Sequence, residues 1–202
     1  MKLYYSPGAC SLSPHIVARE AGIPVELQKV DLRAKTLAEG ASYTAVNGKG
    51  YVPAVELPDG SLLTEGPVIV QYMADQKPES GLAPKAGTAE RYRLQEWLNF
   101  ITSELHKQFS PLFNPATPDE VKEAQRTKIA GRFDWLDKQL EGKDFLLGKQ
   151  FTVADAYLFT VVRWSKPSGI DLAKWPVLAQ YVARVAARPQ VQAAMKAEGL
   201  PV

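Results

Sequence analysis

The sequence predicts an α/β domain followed by an all-helical domain, on three observations. Up to residue 80, short β-prone runs alternate with helical segments. Residues 78–88, Pro78-Glu79-Ser80-Gly81-Leu82-Ala83-Pro84-Lys85-Ala86-Gly87-Thr88, then read as a linker. Every periodic segment beyond it repeats at helical spacing. The expected domains are 1–80 and 87–202. A chain of 202 residues, 46% hydrophobic and 23% charged, can build ordinary apolar cores without metal or disulfide staples.

Leu3-Tyr4-Tyr5 is β-prone and stops at the turn residues Ser6-Pro7-Gly8. Leu12, Ile16, Val17 and Ala21 follow helical spacing, ended by Gly22 and Pro24. Residues 25–31 alternate as a half-buried strand does, and the poorly periodic stretch from Leu37 to Val46 counts as a second helix. Residues 53–57, a Pro58-Asp59-Gly60 turn and residues 61–64 make a hairpin. Gly66 to Gln76 is a helix with Pro67 at its first position, where a missing N–H does no harm. The order β-α-β-α-β-β-α, a parallel pair followed by an antiparallel hairpin, is that of a thioredoxin-like domain. Further on, Leu94, Trp97, Leu98, Ile101, Leu105, Phe109 and Leu112 share one face of a long helix, and Ile129, Phe133, Leu136 and Leu140 mark another. Thr152 and Asp155 form a variant capping box before the apolar helix of Tyr157, Leu158, Val161, Val162 and Trp164. Helices opened by Trp175-Pro176 and Pro189 complete the second domain.

Composition excludes several functions. Cys10 is the single cysteine, so no intrachain disulfide and no cysteine-rich zinc site can form; two histidines, His15 and His106, are too few for a His-based metal cage. The formal charge is +2, with residues 1–80 at −2 and the rest at +4, too even for a nucleic-acid partner. No apolar run approaches the ~20 residues a membrane span needs, and the N-terminus lacks a signal-peptide core. A cytoplasmic protein with a small ligand is expected.

Four places can carry chemistry. Cys10 lies between the first strand and the first helix, where unpaired N–H groups and the helix dipole favour a thiolate; a lone cysteine is otherwise most often buried and inert. Val52-Pro53 enters a strand after a Gly-rich loop, a place for a cis proline or an edge, or for an ordinary loop proline. Glu65 precedes a helix that starts at Gly66, so an amine on the acid and a carboxylate on the helix N-terminus would both be satisfied; a surface acid near a helix dipole is the plainer alternative. Asn99, Ser103 and His106 share one helical face with Lys107 adjacent, a pattern that is more often simply solvated. His106 can donate to a thiolate or carry charge near neutral pH. His15 reads as structural or exposed.

At these residues the sequence resembles the bacterial beta-class glutathione S-transferases over essentially its whole length. The likeness rests on Lys2 through Leu12, Lys35, Gly50-Tyr51-Val52-Pro53, Leu63-Thr64-Glu65 and Phe151 through Asp155. It implies a homodimer with no metal, each subunit a thioredoxin-like domain plus a helical bundle, that takes glutathione as co-substrate. It also implies glutathione-site roles for Cys10, Lys35, Val52, Pro53, Glu65, Gly66, Asn99, Ser103, His106 and Lys107. One departure is Gly66, where the family usually carries Ser; the lost hydroxyl removes a hydrogen bond worth roughly 1.5–3 kcal/mol to a charged group.

The expected reaction is attack of a glutathione thiolate, stabilised by helix N–H groups, Ser11 and His106, on a hydrophobic electrophile. That electrophile would sit near Phe109, Phe113 and Trp164, which could equally be plain core. Cys10 would serve glutathione-dependent thiol–disulfide exchange as a second activity. Two rivals stay open: a glutathione-dependent oxidoreductase or isomerase with Cys10 as obligate nucleophile, and a non-catalytic carrier or partner-binding module.

Overall fold

The structure is a computed structural model and describes residues 1–201. The chain divides into two compact units, one made of residues 1–83 with the segment from Ala187 onward, the other of residues 84–186. The segment after 187 was expected in the helical domain. It packs with the first unit instead, because α8 (Pro189–Ala197) lies against α1 (Leu12–Glu20) and Glu198 is buried there.

The first unit is a five-stranded sheet in the order β3-β2-β1-β4-β5, with β1 Lys2–Tyr5, β2 Glu26–Asp31, β3 Thr36–Leu37, β4 Ala54–Glu56 and β5 Leu62–Thr64. β1 pairs in parallel with β2, Leu3 opposite Leu27, and antiparallel with β4, Leu3 opposite Val55. The hairpin forms with Val55 facing Leu63. Its turn is held by Ser61 N–H on Asp59 Oδ1 (2.9 Å), and Gly60 supplies the positive φ of 81° that the reversal requires. α2 spans Gly66–Gln76, as the sequence predicts, and buries Ile69, Val70, Met73 and Ala74.

The second helix expected over 37–46 does not form. Thr36–Leu37 pairs antiparallel with β2, and only a 3₁₀ turn follows at Tyr43–Ala45. Gly40, Ser42 and Thr44 lower helix propensity there, and Tyr43 alone of that turn is buried, so no apolar stripe exists to hold a helix.

The second unit is helical: α3 Ala89–Phe100, a π-helical turn Ile101–His106, α4 Lys107–Phe113, α5 Asp119–Gln139, α6 Val153–Val162, a 3₁₀ segment Arg163–Ser168 and α7 Pro176–Ala186. α6 is the core; all ten of its residues are buried. The Asp155 carboxylate at its start accepts from Thr152 N–H and Oγ1 (both 2.8 Å), from Leu146 N–H (2.8 Å) and from the Tyr181 hydroxyl (3.0 Å). Burial pushes its pKa upward while these four bonds oppose the rise, so the fixed donors are what make a carboxylate tolerable there. Among the described residues no helix is long and apolar enough to cross a membrane.

Candidate functional site

In the first unit the site grows from a clamped loop. Tyr4, Val30, Tyr43, Val52 and Ala54 form an apolar cluster beside the sheet. From it, the Tyr43 hydroxyl and the Asn47 side-chain amide both donate to the Tyr51 carbonyl at 2.8 Å. Asn47 is itself buried and receives Lys49 N–H on its carbonyl oxygen (3.2 Å). Residues 47–51 are thereby fixed, and they deliver Val52 into a cis peptide bond with Pro53 at the start of β4. Sequence reasoning missed Tyr43 and Asn47, since a tyrosine in an aperiodic stretch carries no pattern that marks it as a clamp.

Cys10 is half-buried in the β1–α1 loop, and its thiol donates to the Val52 carbonyl oxygen (3.1 Å). That bond requires the S–H form, because a thiolate has no proton to donate and would face the carbonyl dipole. A Cys10 thiolate, which the sequence leads one to expect, would have to give up this contact. Ser11 also differs from expectation. It is fully buried, and its hydroxyl donates to Ser6 O (3.2 Å) while accepting from Ser6 N–H (3.1 Å), so it ties the loop together rather than facing a sulfur.

Lys35 and Glu65 are, among the described residues, the two non-glycine residues with positive φ, at 58° and 69°. Such conformations cost about 1–3 kcal/mol each and collect at functional sites. Lys35 Nζ donates to the Gly50 carbonyl (2.7 Å) and stands 5.2 Å from the centre of the Tyr51 ring. Glu65 caps α2 with its carbonyl, which accepts from Val68 and Ile69 N–H, and its exposed carboxylate takes Lys49 Nζ at 2.6 Å. Lys49, also 3.0 Å from Thr64 Oγ1, is a site residue the sequence reading passed over as part of a Gly-rich turn. A side chain at Gly66 would meet the Pro53 ring at 3.6 Å, an ordinary contact, and its backbone φ is unstrained.

His15 is fully buried. Its Nδ1 lies 2.9 Å from Glu198 Oε1, and Glu198 Oε2 accepts from Gly8 N–H (2.9 Å). A cavity of about 510 Å³ opens near the C-terminal end of α1 among Ala18, Arg19, Gly22, Ile23 and Gln190; it carries none of the expected site residues.

In the second unit the π-helical turn decides the geometry. Lys107 N–H donates to the Thr102 carbonyl, five residues back, which rotates the succeeding turn relative to a straight α-helix. Asn99 and Ser103 stay exposed, with Ser103 Oγ on Asn99 O (3.0 Å), and Lys107 is exposed as well. His106 does not share that solvated face. It turns inward, its Nδ1 2.6 Å from the Tyr157 hydroxyl and its ring edge-on to Trp164 at 4.9 Å. Burial, helped by the neighbouring Lys107 charge, lowers its pKa to about 4, so it is neutral at pH 7 rather than charged. Phe109, Phe113 and Trp164 do come together, with ring centres 5.6–6.3 Å apart. Phe109 is wholly buried, whereas Phe113 is 50% exposed and offers its surface. Among the described residues no group of three or more His, Cys, Asp or Glu could hold a metal ion.

Both units have relatives among known proteins. Residues 8–76 match the family of glutathione S-transferase N-terminal domains, and residues 100–189 the C-terminal domain family. A protein named glutathione S-transferase GstA, from Escherichia coli O157:H7, is 47% identical over 99% of this chain and 100% of its own. A sphingomonad glutathione S-transferase solved in complex with glutathione is 49% identical with a TM-score of 0.96, over the full length of both chains. The Sphingomonas chungbukensis enzyme, described as bacterial beta class, is also 49% identical over both full lengths, with a TM-score of 0.97.

Proposed function

The chain belongs to the glutathione S-transferase family, in its beta class, and from that premise we propose how it binds glutathione and transfers alkyl or aryl groups to its sulfur. Glu65 takes the γ-glutamyl ammonium group, displacing Lys49, and the N–H groups of α2 from Gly66 onward take the adjacent carboxylate. The Val52 backbone before Pro53 pairs with the cysteinyl peptide; its carbonyl has a second lone pair beside the one Cys10 uses. Lys35 and Lys107 are the cations for the glycine carboxylate, and Asn99 and Ser103 extend the polar rim.

In the transfer step the glutathione thiol gives its proton to solvent. The thiolate then attacks the electrophilic carbon, a C–S bond forms, and the leaving group departs with its electron pair. A lowered thiol pKa raises the thiolate fraction at neutral pH, and the neutral His106 serves as an N–H donor to the sulfur. Phe113 and Trp164 form the apolar surface for the electrophile. Cys10 supports a second activity: it attacks a disulfide, releases one thiol, and is freed when glutathione reduces the mixed disulfide. The reading extends to a homodimer in the cytoplasm, supported by family membership.

One observation carries the reading: the Cys10 thiol sits on the carbonyl that precedes cis-Pro53, at a loop flanked by Lys35 and Glu65, the two left-handed residues. Titration calorimetry with glutathione tests it. Heat of binding is expected with the wild-type chain and a weaker affinity with Glu65→Gln. Folded wild-type protein that takes up no glutathione overturns it.

A further inference from the structure

The hydroxyl of Tyr157 takes no part in the transfer step. It lies 2.6 Å from His106 Nδ1, and the two rings meet edge to face at 5.9 Å. Thr102 Oγ1 is the other hydroxyl nearby, at 3.4 Å, but its proton is directed to the Leu98 carbonyl at 2.8 Å. Nδ1 is thus the better placed acceptor for the Tyr157 proton. An imidazole that accepts at Nδ1 and is neutral carries its own proton on Nε2. Among the described residues no protein group pairs with that nitrogen. The ring is held in orientation by Trp164 on one side and by the π-helical turn that ends at His106 on the other.

We infer that Tyr157 is a positioning residue for the transfer reaction: its hydroxyl fixes His106 as the Nε2–H tautomer and so reserves that N–H for the glutathione sulfur. The inference rests on the reading of His106 as a sulfur donor. Without the Tyr157 hydroxyl, either ring nitrogen can carry the proton, and the fraction of enzyme with a donor in the right place falls. In this role Tyr157 acts only through His106, so binding of glutathione is unaffected while the chemical step slows.

Nitrogen-detected NMR of the labelled protein reads this directly, since His15 and His106 are the only two histidines. The wild-type His106 is expected to show one protonated nitrogen, Nε2, and one acceptor nitrogen, Nδ1, at pH 7. Tyr157→Phe keeps the ring and is expected to bring the two shifts together as tautomers mix. It should lower kcat for conjugation of an aryl halide about fivefold, with KM for glutathione changed less than twofold. A wild-type His106 protonated on Nδ1, or a Tyr157→Phe variant that keeps both tautomer and kcat, overturns the inference. His106→Ala, which leaves no side-chain donor, tests the underlying reading separately. If that variant keeps full activity while the wild-type tautomer is Nε2–H, the donor role of His106 fails and the positioning role falls with it.

Discussion

A group that the fold keeps neutral must be neutralised again each time the chain folds in acid, and His106 makes that measurable. In the unfolded chain a histidine titrates near 6.5, whereas the folded His106 binds a proton only at about 4. Between those values the unfolded state binds more protons, so stability falls as the pH is lowered through this window and is untouched above it. At pH 5 nearly all unfolded chains carry the proton and few folded ones do, which corresponds to about 2 kcal/mol; below pH 4 the full loss is about 3 kcal/mol. The perturbation is His106→Gln, which removes the titration and leaves a polar side chain beside Tyr157. Urea denaturation followed by far-UV circular dichroism, at pH 7.5, 6 and 5 and one protein concentration, compares the two chains. The stability of wild type relative to the variant is expected to drop by about 2 kcal/mol between pH 7.5 and 5, roughly 0.7–1 M in midpoint. Other groups titrate in both chains and cancel in the difference. Parallel pH profiles would refute the claim that packing against Trp164 and Tyr157 excludes the charge.

Cys10→Ala is expected to abolish the mixed disulfide with glutathione, seen as a missing mass increment, while most aryl-halide conjugation survives; loss of conjugation with glutathione binding intact would make Cys10 the nucleophile of the main reaction. Gly66→Ser meets only ordinary contact with Pro53 and restores a hydroxyl to the helix start, so calorimetry should show about tenfold tighter glutathione binding; an unchanged affinity removes position 66 from the carboxylate site. Lys49→Ala frees Glu65 from an exposed ion pair worth at most about 1 kcal/mol, so KM for glutathione should fall two- to fivefold, and a rise would mean that Lys49 itself holds the ligand. Glu65→Gly relieves the left-handed backbone and should raise stability by about 0.5–1 kcal/mol while glutathione binding weakens; a less stable variant would show that φ at this residue carries no strain.

What the sequence made legible came from strong local signals. The helix over Gly66–Gln76 was bounded by Pro67 and an apolar period, the hairpin by Pro58-Asp59-Gly60, and the α6 start by Thr152 and Asp155. The second helix over 37–46 does not form because that stretch carries no apolar period to hold it. His106 was misplaced because a straight α-helix was assumed through residues 89–113. The one trace of the π-helical turn is that the buried series Leu94, Leu98, Ile101, Leu105, Phe109 averages slightly more than 3.6 residues per turn. Lys49, Asn47 and Tyr157 were invisible for a different reason. Each acts through a partner distant in sequence or through a backbone carbonyl, and neither leaves a spacing to read.

The Glu198 carboxylate that holds Gly8 and His15 lies more than 180 residues after them in the chain. During synthesis the N-terminal half leaves the ribosome with α1 uncovered, and the whole helical unit is made before the residues that seal it. The first unit, though it begins the chain, is therefore the last to be finished. A truncation or a premature stop near the C-terminus would be felt at the loop that carries Cys10.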